Sequence, residues 1–167
     1  MILDCGCGSG RSYEFSPRIF DFLDTVYLDI ERPYSSISEY HLNWVVADAE
    51  LLPFRNNSFD KIVASHLIEH LNDPMEFIFT CYRLLKDGGE LHIITPNFMS
   101  KNTYLDPNHK HVFNFIKLHR LLKRYHFRVH FGSPIGSRMP KPVLRLLKII
   151  YLLICEELYV IAEKVNV

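Results

Sequence analysis

Short apolar runs alternate with stretches of helical periodicity along most of the 167-residue chain. The apolar runs predict seven strands, over residues 1–4, 25–30, 44–47, 59–65, 90–95, 127–131 and 158–164. Apolar side chains at helical spacing predict helices between the fourth and fifth runs, over residues 115–125 and over residues 142–154. The first of these helices is expected to begin after the capping residue Asp73 and to end at Gly88-Gly89.

Strands that alternate with helices predict parallel β-α units, and therefore an α/β protein with an open, doubly wound sheet. The length of the chain predicts one domain over residues 1–167. The predicted elements leave one long loop, over residues 97–112, which is rich in Asn, His and Pro. Long loops in compact domains often carry function, so this loop is a candidate part of the functional site.

The composition is that of a soluble globular protein. Hydrophobic residues make up 48% and charged residues 23% of the chain, which excludes a disordered chain, a collagen and a bare coiled coil. The longest uncharged apolar run, residues 149–155, is far shorter than the ~20 residues of a membrane span. Cys5 and Cys7 are too close together for a mutual disulfide and lack the partner cysteines of a metal site. With no basic signal-peptide region at the N-terminus, these features predict a reducing, cytoplasmic setting.

The charges are divided unevenly between the two halves of the chain. Residues 1–90 hold 7 Lys/Arg and 15 Asp/Glu, whereas residues 91–167 hold 12 Lys/Arg and 4 Asp/Glu. Residues 107–148 contain ten cations and no acid. This asymmetry indicates either an anionic partner for the basic half or a basic surface that balances an acidic one.

Three glycines at alternate positions follow the first predicted strand. Gly6, Gly8 and Gly10 lack the Cβ atoms that would keep a ligand away from the backbone. Asp4 lies just before them, where a carboxylate would repel the pyrophosphate of a dinucleotide, and Arg11 stands where the dinucleotide motif requires a third glycine. The loop therefore favours a ligand such as S-adenosylmethionine (SAM), which carries an ammonium and a sulfonium group and no phosphate.

The pattern Asp4-x-Gly6-x-Gly8-x-Gly10 resembles motif I of the class I SAM-dependent methyltransferases, in particular the type 11 group. Further segments resemble that family in the same order, namely residues 48–54, 57–60, 65–71, 84–89 and 94–97. One departure is Asp87, which stands where the family usually has a proline. The resemblance implies a Rossmann-like, mostly parallel sheet of seven strands in the order 3-2-1-4-5-7-6, with the last strand antiparallel and helices on both faces.

The resemblance also implies SAM as the cofactor and S-adenosylhomocysteine as the product. Asp29 closes the second strand, where the family's acid binds the ribose hydroxyls, and Asp48 and Ala49 correspond to the segment around the adenine. Considered alone, an acid after a strand is equally compatible with a helix cap or a loop. The full set of implied cofactor-binding residues is Asp4, Gly6, Gly8, Gly10, Asp29, Ile30, Asp48, Ala49, Ser65 and His66.

Histidines are concentrated in two segments that are expected to flank the methyl end of the cofactor. His111 or His109, in the long loop, would be the base that takes a proton from the acceptor. A second possibility is a metal site, because the segments resemble the metal ligands of small-RNA 2′-O-methyltransferases and of some quinone O-methyltransferases; its ligands would be His66, Glu69, His70 and His111. A third possibility is that these histidines are structural. Because His66 stands where the resembling enzymes carry an acid, the sequence predicts that no metal is required.

The predicted function is methyl transfer from SAM to an oxygen or nitrogen of an unidentified acceptor. A small-molecule acceptor is favoured, and RNA or a lipid-linked acceptor stays open. Lys110 is expected to face the opening of the substrate site and to favour an anionic acceptor. The alternative is a SAM-binding module or subunit without turnover of its own. Motif I begins at residue 2, so the usual N-terminal cover segment is expected to be absent or supplied by a second subunit in a homo-oligomer.

The helix predicted over residues 142–154 combines cations with a largely apolar surface. Lys141, Arg145 and Lys148 fall on one stripe. Such a helix either lies on anionic lipid or is a crossover helix packed on the sheet with one solvated side, and the fold favours the crossover helix.

Overall fold

The computed structural model describes residues 1–8, 24–31, 43–132 and 141–165. Within these ranges the strands are β1 (Ile2–Cys5), β2 (Thr25–Asp29), β3 (Asn43–Val46), β4 (Phe59–Ser65), β5 (Leu85–Pro96), β6 (Phe127–Phe131) and β7 (Glu157–Lys164). The helices are α1 (Pro74–Leu84), α2 (Asn102–Leu105), α3 (Phe115–Arg124) and α4 (Lys141–Ile154), and a short 3₁₀ helix covers Ala49–Leu51.

All seven strands join one sheet in the order β3-β2-β1-β4-β5-β7-β6, as predicted. The strands from β3 to β5 pair in parallel, whereas β7 runs antiparallel to both β5 and β6. The sheet is therefore mixed, with a parallel half and an antiparallel half. This topology brings the carboxyl ends of β1, β2, β4 and β5 and the first residues of β7 to the same edge.

The central strands are buried because their sequences are almost continuously apolar. Every residue of β1 is buried, and so are Ile62, Val63 and Ala64 in the neighbouring β4. Near-continuous apolar runs of this kind are typical of parallel strands covered on both sides. The rigid centre of the fold thus lies directly beneath the loops that follow β1 and β4.

The predicted boundary between the first helix and the fifth strand is wrong. The helix ends at Leu84 and not at Gly88-Gly89, and β5 begins at Leu85, five residues before the predicted start. The reason is tertiary pairing, because Leu85 lies opposite Phe59 and the strands change register before the next pair. The predicted loop over residues 97–112 also contains one short helix, α2.

The sequence also predicts that no segment spans a membrane and that Cys5 and Cys7 form no mutual disulfide. None of the helices in the described ranges is long and apolar enough to cross a bilayer. Cys5, Cys7, Cys81 and Cys155 are all free. Burial raises the pKa of the Cys5 and Cys7 thiols.

Candidate active site

The chain turns sharply between β1 and the glycine loop. Gly6 has φ +70°, and the Gly6 and Cys7 amides both donate to the Leu28 carbonyl of β2, at 2.8 and 3.1 Å. A Cβ on Gly6 would lie 2.9 Å from the Leu67 side chain, so the residue must be glycine for both reasons. Gly8 also has a left-handed φ, +54°, and is exposed. The loop is thus fixed at its base and open to a ligand at Gly8.

Asp29 lies at the carboxyl end of β2 and faces this loop. Its Oδ2 accepts the Gly8 amide at 2.7 Å, and its Oδ1 accepts the Glu31 amide at 3.3 Å. Each carboxylate oxygen has further acceptor capacity, which suits two adjacent ribose hydroxyls. Ile30 beside it is 68% exposed and offers an apolar surface. Asp4 is buried beneath the loop, and Gly10 lies outside the described residues.

The segment after β3 lies next to Asp29. The Ala47 amide donates to the Asp29 carbonyl at 3.0 Å, which joins the ends of β2 and β3. Asp48 is exposed and caps the 3₁₀ helix, because its side chain accepts the Glu50 amide at 2.9 Å. Ala49 is buried. The predicted ribose and adenine residues are therefore neighbours in the structure.

Glu50 connects this segment to the beginning of α1. Its carboxylate accepts the Asn72 and Asp73 amides at 2.6 and 2.8 Å and the Asn72 side chain at 2.7 Å. These hydrogen bonds hold the pKa of the Glu50 carboxyl below its ordinary value, and the bond from the Asp73 amide contributes most. Lys110 donates to Asn72 Oδ1 at 2.8 Å, so its ammonium group lies beside the residue that Glu50 binds.

His66, directly after β4, has an unusual backbone and two acidic neighbours. Its φ is +50°, and its amide donates to the Ile94 carbonyl at 2.9 Å. The imidazole is 46% exposed, with Nδ1 3.5 Å from Glu69 Oε1 and Nε2 3.3 Å from Glu157 Oε1. These carboxylates, Glu69 foremost, outweigh partial burial and raise the pKa of His66 above its ordinary value.

An open cleft of about 700 Å³ adjoins this histidine. Its lining comes from β4, β5, the end of α4 and the beginning of β7, and comprises Ser65, His66, Ile94, Tyr151, Cys155, Glu156, Glu157 and Tyr159. None of these lining residues is a Lys or Arg, so the fixed charges of the cleft are acidic. A cleft of this size can hold a small ring compound.

Sequence reasoning found Ser65 and His66 but missed the other side of this cleft. The missed residues are Tyr151, Cys155, Glu156, Glu157 and Tyr159. One signal was available, since an antiparallel last strand begins at the edge where the parallel strands end. The acid pair Glu156-Glu157, which immediately precedes and opens β7, is thereby brought to the site.

A second histidine cluster could hold a metal ion. Glu69, His70 and His109 each place a ligand atom within 4.8 Å of the others. His70 Nδ1 lies 3.3 Å from the Asn108 carbonyl, and His109 Nδ1 lies 3.0 Å from the Thr103 carbonyl. These carbonyls favour the tautomers with a proton on Nδ1, which leave Nε2 as the ligand atom.

His111 lies away from the cleft that contains His66. Its amide donates to the Glu69 carbonyl at 3.1 Å, and its Nε2 is buried without a hydrogen-bond partner among the described residues. It borders a different cavity, of about 560 Å³, which is lined by the beginning of α1 and by Lys117, Arg120 and Arg124 of α3. The two predicted bases, His109 and His111, thus occupy separate surroundings.

Comparison with known proteins identifies the class of this fold and site. The family model described as a methyltransferase domain matches residues 3–93, more than half of the chain. The chain therefore belongs to the class I SAM-dependent methyltransferases, an enzyme family whose cofactor is SAM. This confirms the resemblance seen in the sequence.

Three similar proteins show how far the likeness extends. A probable SAM-dependent methyltransferase of Mycolicibacterium smegmatis is 29% identical over 138 residues, which cover 77% of this chain and 52% of that protein. The ubiquinone biosynthesis O-methyltransferase of Coxiella burnetii is 30% identical over 101 residues, which cover 58% of this chain and 43% of that protein. The crystal structure of a SAM-dependent methyltransferase from Archaeoglobus fulgidus matches with a TM-score of 0.71 and 26% identity, covering 98% of this chain and 85% of that one. The chain spans about half the length of these two curated relatives.

Proposed function

We propose that this chain transfers a methyl group from SAM to an oxygen or nitrogen of a small acceptor bound in the cleft beside His66. The observation that carries the proposal is the contact between Gly8 and Asp29 at the carboxyl ends of β1 and β2. Ligands of open α/β sheets bind at this edge, where the strand order reverses. Ser65 ends the neighbouring strand β4 and His66 follows it, so the cleft lies at the same edge of the sheet as Gly8 and Asp29.

The reaction requires alignment more than activation, because the sulfonium already makes the methyl carbon electrophilic. The acceptor atom forms a bond to the methyl carbon, the carbon–sulfur bond breaks, and the sulfur keeps the electron pair as a thioether. The proton of the acceptor must leave to a base. Holding the acceptor in line with the carbon–sulfur bond supplies most of the rate enhancement available to the protein.

His66 is the base that the cleft supports best. Glu69 is buried and lies beside Nδ1, where it favours the tautomer with a proton on Nδ1 and stabilises the imidazolium that forms. Glu157 is exposed, so an acceptor hydroxyl can take its place beside Nε2 and deliver the proton there. The bases proposed from the sequence, His109 and His111, remain the rival assignment.

The charge of the cleft favours a neutral or cationic acceptor over an anionic one. Glu156 and Glu157 line it, and Lys110 is engaged by Asn72 instead of facing the cleft. The Coxiella relative is named for ubiquinone biosynthesis and O-methylation, which supports an oxygen acceptor. RNA and lipid-linked acceptors, and a second subunit that completes the site, are proposals with less support.

The test is incorporation of label from tritiated SAM into a panel of neutral phenols, amines and carboxylic acids. The proposal expects a labelled phenol or amine with the wild-type chain and none with Asp29→Ala. Binding of SAM without transfer to any member of the panel, or to compounds of a cell extract, would instead support a SAM-binding module without turnover.

The rate of methyl transfer is expected to rise with pH through a midpoint above 6.5. The pKa of His66 is raised above that ordinary value, and the proton acceptor must be neutral, so activity is low below the raised pKa and complete above it. Glu157→Gln removes one of the charges that raise this pKa and should move the midpoint to lower pH. Glu156→Gln, which removes a charge not paired with His66, is the control. A rate that is flat from pH 5 to 8 would exclude His66 as the base.

Removal of metal is expected to leave the rate of methyl transfer unchanged, because no step of the proposed reaction passes through the cluster of Glu69, His70 and His109. The measurement compares protein dialysed against EDTA with the same protein after addition of Mg²⁺ or Zn²⁺. Activity that disappears on dialysis, returns with metal and is absent in His70→Gln would show that the cluster is a catalytic metal site.

A further inference from the structure

Helix α4 turns an apolar stripe toward solvent. Leu146, Ile149, Ile150 and Leu153 recur at the i, i+3, i+4, i+7 spacing of one helix face. Their exposed fractions are 59%, 40%, 42% and 40%. The outward face of a surface helix is ordinarily polar, so this arrangement is the reverse of the usual one.

The orientation of α4 is fixed from its inner side. Leu152 and Cys155 pack against the core of the protein. The buried Asn97 side chain donates to the Leu152 and Cys155 carbonyls, at 3.1 and 2.9 Å, and thereby satisfies the last turn of the helix. The apolar stripe therefore cannot turn inward without breaking these contacts.

Cations border the stripe on one side. Arg145 and Lys148 of α4, together with His119 and Arg120 of α3, line a cavity of about 650 Å³ whose floor is apolar. Within the ranges that the structure describes, no carboxylate forms an ion pair with Arg120, Arg145 or Lys148. The sequence from 107 to 148 contains no acid.

We propose that α4 is a docking surface for a bilayer that contains anionic phospholipids. The helix would lie in the interface, with Leu146 and Ile150 among the acyl chains. Arg145, which borders the stripe, and Arg120 of the adjoining cavity would lie on the phosphates. Amphipathic helices with Lys and Arg beside a wide apolar face bind membranes in this way. At 14 residues, α4 is suited to lie on a membrane and not to cross one.

Charge and side-chain type separate this partner from the others. A second copy of the chain docked through the same face would bring the two sets of cations together, which is unfavourable. Single-stranded RNA is bound by stacking its bases on aromatic rings, whereas the exposed stripe is entirely aliphatic. An anionic bilayer is complementary to both the cations and the aliphatic side chains.

The test is co-sedimentation of the full chain with vesicles of phosphatidylcholine alone or with about one third phosphatidylserine. Binding is expected only with phosphatidylserine, and it should weaken as salt rises. Arg120→Gln with Arg145→Gln should reduce binding roughly 25-fold, at about fivefold per cation. Arg55→Gln with Lys101→Gln removes two exposed cations elsewhere and should not change binding.

A second pair of variants separates the apolar contribution from the charge. Leu146→Ser with Ile150→Ser should reduce binding to anionic vesicles by about tenfold or more, without loss of the thermal unfolding transition, because both side chains are exposed. Equal binding to both vesicle types, or no effect of either pair, would overturn the proposal. Self-association of the wild type that is lost in Leu146→Ser with Ile150→Ser, without vesicle binding, would assign the stripe to a second copy.

Discussion

Replacement of His66 with glutamine is expected to lower kcat for methyl transfer by about 10²–10⁴-fold, the range that a positioned general base contributes. Glutamine keeps a hydrogen-bonding side chain in the cleft but cannot take up a proton. SAM affinity should change far less than kcat if, as proposed, the imidazole between Glu69 and Glu157 faces the acceptor and not the cofactor. Single-turnover measurements with saturating SAM separate the two effects.

The matched control for His66→Gln is His111→Gln. The His111 side chain borders the cavity beside α1 and α3, so its replacement should leave kcat within a few-fold of the wild type. The opposite pattern, with a small effect at His66 and a large one at His111, would return the role of base to the long loop.

Asp29→Ala is expected to weaken the binding of S-adenosylhomocysteine by about 1–3 kcal/mol, which corresponds to roughly 5- to 150-fold in Kd, because it removes hydrogen bonds to a charged group. The loss has two physical sources. The carboxylate would accept the ribose hydroxyls, and it already holds the Gly8 amide at 2.7 Å and so keeps the glycine loop in place. Titration calorimetry measures the change directly.

Glu31→Gln is the control for Asp29→Ala. Glu31 is two residues from Asp29 and is exposed, so this variant removes a negative charge nearby. It should bind S-adenosylhomocysteine as the wild type does. Thermal unfolding of both variants shows that the fold is retained. Equal affinity of the wild type and Asp29→Ala would contradict the placement of the cofactor at the ends of β1 and β2.

The order of the strands and the contact between Gly8 and Asp29 were predictable because their signals are local. The first three apolar strands end at or just before a glycine or an acid that marks the carboxyl end, namely Gly6, Asp29 and Asp48. A family resemblance that rests on such local motifs also predicts the strand order of the family, and the structure confirms that order.

The start of β5 and the cleft beside His66 were not predictable, because they depend on contacts between distant residues. Leu85 has the spacing of a helical residue and becomes extended only by pairing with Phe59. The partners of His66 are three and ninety-one positions away, and the second, Glu157, reaches the cleft only because β7 is antiparallel.

The inner face of α4 also could not be assigned from its sequence. The helix is apolar on nearly every side, so periodicity does not show which side meets the core. The choice is made by Asn97, which follows β5 and binds the last carbonyls of the helix. The sequence favoured a crossover helix with one solvated side, and the structure adds that the solvated side is largely apolar.

The most direct test of the account is a crystal structure of the chain with S-adenosylhomocysteine. We expect the ribose hydroxyls on the Asp29 carboxylate, the adenine beside Asp48 and Ala49, and the sulfur atom directed toward the cleft of Ser65 and His66. A ligand bound away from Gly8 and Asp29, or a sulfur atom directed away from that cleft, would contradict it.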